Sequence, residues 1–352
     1  MIKSQSVLTK PIYICGPCSA ENREQVLCSA KDIAKTGVQW FRAGLWKPRT
    51  RPSCFEGVGD SGLSWLTEVK EQYNINVCTE VANPSHVEQC LKHNIDGLWL
   101  GARTTSNPFS VEEIAQSLKG VDNITIMIKN PMIADMKLWL GAIERMEKQG
   151  IKNILAIHRG FTLADNKPYR QTPLWRIPIE LKQERKDLKI ICDPSHIAGK
   201  REYVREIAEQ AANIGFDGLM IETHCSPSSA LTDSEQQITP KELENLISSI
   251  HFPENTGSSD KLSALREEIN EVDNTIIDAL AKRMHLSQSI AKIKQEENMT
   301  VFQHSRWQEV LNRIISQAQN HSLNDTFVKE IYEIIHQESI KVQNNILKDK
   351  KK

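Results

Sequence analysis

Eight short apolar runs punctuate roughly the first 250 residues, at 11–15, 38–42, 75–79, 97–100, 124–128, 154–157, 189–192 and 218–221. Each is close to continuous instead of alternating, the pattern of a strand buried on both faces in a parallel sheet. The polar stretches between them are long enough for a helix, and the runs recur at roughly 20 to 40 residues, the length of a strand-helix unit. Eight such units predict a (β/α)8 barrel, with an open doubly wound sheet as the alternative until the strand ends are considered. Beyond residue 258 the rhythm changes. Leu262, Leu265, Ile269, Val272, Ile276, Leu280, Met284, Ile290 and Ile293 recur at helical spacing and mark one stripe of a helix of about nine turns. Two shorter helices are expected at 305–319 and 324–347, with Asp325 leading into the last.

Composition places the boundary between the two patterns. All 16 Gly and 14 Pro lie before residue 258, so the helix breakers vanish where the helical rhythm begins. The polar, turn-rich stretch around Pro253, Asn255 and Gly257 reads as a linker. The expected division is an α/β barrel at 1–252, a linker at 253–261 and an all-α domain at 262–352. From Leu262 onward 13 Lys and Arg face 13 Asp and Glu, which describes a folded amphipathic unit and not a charged arm. The whole chain carries a net charge of −1 with 25% charged residues, which argues against nucleic acid as a partner. No apolar run approaches the roughly 18 residues of a membrane span, and residues 1–10 lack the apolar core of a signal peptide. A cytoplasmic protein, not bound to membrane, with its eight cysteines mostly as thiols is expected.

In a barrel, the residues just beyond the C-terminal ends of the strands converge on one mouth. Here nearly every such position is chemically active: Cys18 after the first run, Arg42 and Lys47-Pro48-Arg49-Thr50 after the second, Glu80 after the third. Arg103, Lys129, His158-Arg159, Asp193-Pro194-Ser195-His196 and Glu222-Thr223-His224 follow the remaining five. Charges crowded at one mouth are costly unless ligands neutralise them. Arg42, Lys47, Arg49, Arg103, Lys129 and Arg159 suit phosphate and carboxylate oxygens, enough for two anionic substrates. Cys18, His196 and Glu222, with Asp233 as a further candidate, are the donors of a divalent-metal site, and this mixture of soft and hard ligands admits Mn, Fe, Co or Zn. Cys15 and Cys18 also stand in C-x-x-C spacing. Cys15, however, falls inside the strand run, where a thiol is buried and inert, and no second C-x-x-C completes a zinc clamp.

The ordered set Gly16-Pro17-Cys18-Ser19, Lys47-Pro48-Arg49-Thr50, Gly101-Ala102-Arg103, Lys129-Asn130-Pro131, His158-Arg159-Gly160, Asp193-Pro194-Ser195-His196, Ile221-Glu222-x-His224 and Leu231-Thr232-Asp233 resembles 3-deoxy-D-arabino-heptulosonate 7-phosphate (DAHP) synthase. The resemblance spans nearly the whole first domain. It implies condensation of phosphoenolpyruvate with erythrose 4-phosphate, with a divalent metal ion held by Cys18, His196, Glu222 and Asp233. Arg103, Lys129 and Arg159 would bind phosphoenolpyruvate, Lys47 would lie between the substrates, and Arg49 and Thr50 would take the sugar phosphate. A sister family, 3-deoxy-D-manno-octulosonate 8-phosphate synthase, carries Lys-Ala-Asn-Arg where this chain has Lys47-Pro48-Arg49-Thr50, so the loop argues for erythrose 4-phosphate. The residue types suit the reaction: a metal at the aldehyde oxygen stabilises the charge that develops as C3 of phosphoenolpyruvate attacks, and Lys47 protonates or polarises that oxygen.

The tail carries its own pattern. Arg283 and Lys294 are 11 residues apart, about 20° around a helix, and share a face. Arg266 lies 17 residues before Arg283, about 100° away, so a partner protomer's copy serves that pocket better than its own. Ser339 and Gln343 stand at i, i+4 as one polar patch. Cations without acidic partners at matching spacing suggest a dianionic ligand inside a helical bundle. Ala264-Leu265-Arg266, Ala281-Lys282-Arg283, Lys294, Arg306, Ser339 and Gln343 together resemble the all-helical chorismate mutase. The resemblance implies an intertwined homodimer in which the partner's Arg266 and Arg283 take the two carboxylates of chorismate. Lys294 and Gln343 would bond the ether oxygen, with Arg306 on the carboxylate side. That rearrangement needs positioning and charge stabilisation alone. Trp307 and Gln303 depart from the family pattern, which places a carboxylate near the substrate hydroxyl.

The expectation is a bifunctional shikimate-pathway enzyme, at least dimeric through its tail. A chorismate-derived ligand in the tail is expected to inhibit the barrel, since no other regulatory domain precedes Cys15. The alternative is a barrel synthase whose helical module is not catalytic and serves to dimerise or to sense chorismate or prephenate.

Overall fold

The computed structural model describes residues 10–47, 54–163, 167–253 and 260–349. The eight apolar runs become eight strands: β1 (Ile12–Gly16), β2 (Trp40–Arg42), β3 (Asn76–Val81), β4 (Gly97–Leu100), β5 (Thr125–Lys129), β6 (Asn153–His158), β7 (Lys189–Cys192) and β8 (Gly218–Glu222). Each pairs in parallel with its sequence neighbour, and β8 closes on β1, so the sheet is a closed barrel and not an open one. Strand β2 is shorter than its apolar run. Its ladder begins at Trp40, and the side chain of Gln39 instead accepts from the Tyr13 backbone N–H at 2.7 Å. Several helices that return the chain to the next strand announce themselves locally. Asn83, Asn107 and Asp193 each cap a helix with a side-chain oxygen, and Pro84, Pro108 and Pro194 follow at the first helical position, where a missing N–H costs nothing.

The two-residue period of a strand sorts side chains into those facing the helices and those facing the barrel axis. Ile14, Cys78, Trp99, Met127, Ile157, Ile191 and Met220 face inward as one buried apolar cluster, with Trp40 packed against it. The residue two further along each of these strands also faces inward, one layer nearer the mouth. Those residues are Gly16, Arg42, Glu80, Gly101, Lys129, Arg159, Asp193 and Glu222. The barrel is therefore plugged by apolar side chains below and lined by charged ones above, all at the C-terminal ends of the strands. The two glycines make room: a Cβ on Gly16 would lie 2.0 Å from the Arg42 carbonyl oxygen, and one on Gly101 would lie 2.2 Å from Glu80 Oε1. Cys15, of opposite parity, packs fully buried into the larger core between strands and helices.

Two compact units divide the chain, Met1–Asn255 and Thr256–Lys352. The expected linker at 253–261 falls mostly outside the described residues. The second unit holds three helices, Asp260–Glu296, His304–Asn320 and Asp325–Asp349, and the last packs against both others. Asn324, not Asp325, caps that last helix, its Oδ1 accepting from the Phe327 N–H at 3.0 Å. The apolar stripe of the long helix is only partly covered: Leu265, Ile269 and Val272 are more than half exposed. All eight cysteines are free thiols, and among the described residues no helix is long and apolar enough to cross a membrane.

Candidate functional sites in the barrel and the tail

At the mouth, the loop after β1 and the loop after β8 meet over the charged layer. Cys18 Sγ lies 3.4 Å from Asp233 Oδ2, and one donor atom each of Cys18, Glu222 and Asp233 fall within 4.8 Å of one another. His196 joins them from the short helix after β7, with Nε2 3.7 Å from Glu222 Oε1 and Nδ1 2.8 Å from Asp193 Oδ2. Gln237 accepts from the Cys18 N–H at 3.0 Å, Ser19 and Thr232 share a hydroxyl hydrogen bond of 2.7 Å, and Asp233 sits at a φ of 46°, a left-handed conformation that aspartate tolerates. These contacts tie the β1 and β8 loops together and hold the three donors facing one point.

Electrostatics bear on what that point accepts. Burial and the charge of Glu222 push the Cys18 thiol up to about 12, so without a cation it keeps its proton. Burial works against the Glu222 and Asp233 carboxylates, yet the imidazole of His196 and the neighbouring cations hold both below the ordinary range. A thiolate and two carboxylates brought together beside a neutral imidazole repel one another. A divalent cation relieves that repulsion, and the S, N and O donors fit a transition-metal ion.

The cations sort by depth. Arg42, expected to contact substrate, lies fully buried beneath the mouth. Its Nη2 bonds Glu222 Oε1 at 3.0 Å, and its guanidinium stacks 4.8 Å from the ring centroid of Trp99. Burial opposes the charge on Arg42, but Glu222 and Asp193 more than offset it. Lys129 Nζ bonds Asp193 Oδ2 at 2.8 Å, and Lys47 Nζ donates to the Cys18 carbonyl at 3.0 Å with Glu80 4.0 Å away. Above them opens a cleft of about 400 Å³ onto which Lys47, Arg103, Lys129, Arg159, His196 and Asp233 all face. Burial is the main reason the Arg159 guanidinium falls to about 10; Asp193 opposes the fall, and Arg170 and Arg103 add to it. Arg49 and Thr50 lie outside the described residues.

Sequence reasoning missed several participants. Glu80 and Asp193 stand at strand ends in the sequence, and the two-residue rule that selects Lys129 and Glu222 selects them equally. Arg170 had no signal. It comes from the loop after β6 and returns to the mouth, where Nη1 bonds Asp233 Oδ1 at 3.1 Å and Gln236 Oε1 at 2.8 Å, while Gln236 in turn donates to Glu222 Oε2 at 2.6 Å. His224 is buried, accepts from the Ser226 N–H through Nδ1 at 2.8 Å and lies 3.8 Å from Glu21, holding the loop that carries Asp233.

In the tail, Arg283 Nη1 donates to Ser339 Oγ at 2.5 Å and to the Ile335 carbonyl at 3.4 Å, joining the first helix to the last. Lys294 Nζ donates to the Val301 carbonyl at 2.5 Å. Ser339 and Gln343 are both buried, and Gln343 Oε1 has no hydrogen-bond partner among the described residues. Burial lowers the pKa of both Arg283 and Lys294, and among the described residues neither pairs with a carboxylate. Arg266 is exposed on the long helix, and Arg306 is exposed in an ion pair with Glu309 at 3.0 Å, so one chain does not bring these two to the cluster.

Comparison with known proteins matches this division. The family model described as DAHP synthetase I family matches residues 8–251, and the model described as chorismate mutase type II matches residues 265–344. The chain is 29% identical over 234 residues to a phospho-2-dehydro-3-deoxyheptonate aldolase of Thermotoga maritima, covering 66% of this chain and 67% of that one. It is 26% identical over 256 residues to a 2-dehydro-3-deoxyphosphooctonate aldolase of Fusobacterium nucleatum, covering 67% and 87%. A crystal structure of the phospho-2-dehydro-3-deoxyheptonate aldolase (DAHP synthase) from Thermotoga maritima superposes with a TM-score of 0.62 at 26% identity, covering 71% of each chain. With the closed barrel, the charged mouth and the helical tail all accounted for, the chain belongs to the DAHP synthetase I family and joins it to a chorismate mutase type II domain in one bifunctional shikimate-pathway enzyme.

Proposed function

We propose that the barrel condenses phosphoenolpyruvate with erythrose 4-phosphate in a metal-dependent reaction at the Cys18, His196, Glu222 and Asp233 cluster. The observation that carries this reading is the meeting of Cys18, Glu222 and Asp233, with His196 3.7 Å from Glu222, beside a cleft faced by Arg103, Lys129 and Arg159. Arg103, Lys129 and Arg159 bind the phosphate and carboxylate of phosphoenolpyruvate. Lys47, held by the Cys18 carbonyl and Glu80, stands where it can deliver a proton to the aldehyde oxygen as C3 attacks; water then adds to C2, the C2–O bond to phosphate breaks, and inorganic phosphate leaves with DAHP as the other product. A divalent ion bound by the four donors supplies Lewis-acid stabilisation of the charge developing on that oxygen. Mn, Fe, Co and Zn all suit the donor set. The test is phosphoenolpyruvate consumption before and after EDTA. Chelation is expected to cut turnover to below about one hundredth, with recovery on adding Mn²⁺; full activity in EDTA sinks the metal reading. Offering arabinose 5-phosphate in place of erythrose 4-phosphate checks the sugar, since an octulosonate-type enzyme prefers it.

In the tail, Arg283 binds a carboxylate of chorismate while Lys294 and Gln343 hydrogen-bond the ether oxygen as its bond breaks, giving prephenate. Ser339 positions Arg283, and the partner's Arg266, with Arg306, completes the anion site in a homodimer. The exposed stripe Leu265, Ile269, Val272 supports dimerisation, because a contiguous apolar face of that length is costly in water. The double variant Ile269→Glu with Ile276→Glu is expected to run as a monomer in light scattering and to lose mutase turnover with it. A wild-type monomer that turns over chorismate would remove the partner's role. The free thiols fit a cytoplasmic setting.

A further inference from the structure

The last tail helix carries Ser339 and Gln343 on one face, and the same face continues one turn back to His336, at spacings of three and seven residues. His336 lies close enough to Arg283 and Lys294 to feel both charges. Its ring stacks flat on Trp307, centroids 4.0 Å apart and planes within 9°, and Phe302 closes a third side at 5.9 Å. Its Nε2 is buried and has no hydrogen-bond partner among the described residues. Burial, then the nearby charges of Arg283 and Lys294, lower its basicity below that of an ordinary imidazole. A side chain needed only to cover Trp307 would be served better by Phe or Leu, since an unpaired buried nitrogen is a standing cost. Gln343 on this face is likewise buried, with Oε1 unpaired among the described residues.

We infer that His336 is a substrate-contacting residue of the mutase pocket, donating a hydrogen bond from Nε2 to an oxygen of the bound dianion. Trp307 fixes the plane of the imidazole and so the direction of that bond; the tryptophan that departs from the family pattern has a purpose as the platform of the histidine. The inference rests on the cluster of Arg283 and Lys294 being the mutase site.

The test uses full-length protein and chorismate disappearance, with kcat and KM separated and thermal unfolding followed in parallel. His336→Phe keeps the stack and removes the nitrogen; His336→Gln restores a donor at about the same reach. His336→Phe is expected to lose about 10- to 100-fold in kcat/KM without loss of thermal stability, and His336→Gln to stay within about threefold of wild type. If His336→Phe stays within threefold of wild type, or if His336→Gln falls as far as His336→Phe, the hydrogen bond is refuted. Should His336→Phe fail to fold, His336→Met asks the same question without an aromatic ring. Arg283→Ala separates the two levels: loss of turnover there with an active His336→Phe overturns only the inference, whereas an active Arg283→Ala overturns the site and the inference together.

Discussion

Replacing Arg42 with Met is expected to destabilise the metal-free barrel by about 3 to 5 kcal/mol, the cost of leaving a buried charge without its partner. Arg42 and Glu222 are both fully buried at 3.0 Å, so Met fills much of the volume but leaves the carboxylate beside Asp233 with one fewer cation. Urea unfolding of the metal-free protein measures the loss. The pH dependence identifies its origin. In the wild type, Glu222 titrates below its ordinary value, because His196 and Arg42 outweigh the effect of burial; its contribution is present above a pH of about 4.3 and is lost as pH falls through the folded-state pKa. Without Arg42 that pKa rises, so the deficit should be largest near neutrality and shrink in mild acid as Glu222 takes up a proton. Added Mn²⁺ should restore part of the deficit, since a bound divalent ion supplies the missing positive charge. A variant as stable as wild type near neutrality would mean that water reaches Glu222.

The second large effect belongs to the tail. Arg283→Ala is expected to lower mutase kcat/KM by about 10² to 10³, the usual consequence of removing one preorganised donor from a site that works by charge stabilisation alone. Arg283 is half-buried, bonded to Ser339 and without a carboxylate among the described residues, so its charge is available to an anion. Arg283→Lys should recover only part of the loss, because an ammonium cannot bond Ser339 and grip a carboxylate with a planar fork at once. Chorismate disappearance measures both, with phosphoenolpyruvate consumption as the internal control. Unchanged mutase turnover in Arg283→Ala places the chemistry elsewhere, and a wild-type tail that binds chorismate without turning it over makes the domain a sensor.

Much of the barrel site was legible because strand geometry is local. Once the apolar runs are read as strands, the two-residue period assigns Lys129, Arg159 and Glu222 to the inner face at the mouth, and would have assigned Glu80 and Asp193 by the same step. Depth was not legible. Arg42 and Lys129 occupy equivalent strand positions above Trp99, yet Arg42 is committed to buried Glu222 while Lys129 reaches the cleft, a difference set by the neighbouring strands and not by its own. Arg170 and His336 were invisible for another reason. Each acts through a contact with a residue far away in the chain, Asp233 in one case and Trp307 in the other, and no periodicity links such pairs.

By itself, the order of amino acids determined the eight strands, the change to helix beyond the linker and the donor types gathered at the strand ends. Those follow from hydrophobic period, from helix breakers and from the outward turn of each strand, all of which act over a few residues. Only the tertiary structure decided which donors share a point, which cations are committed to buried partners and which face the cleft. Those outcomes depend on distances across the barrel and between helices, where an ångström separates a buried ion pair from an open binding group.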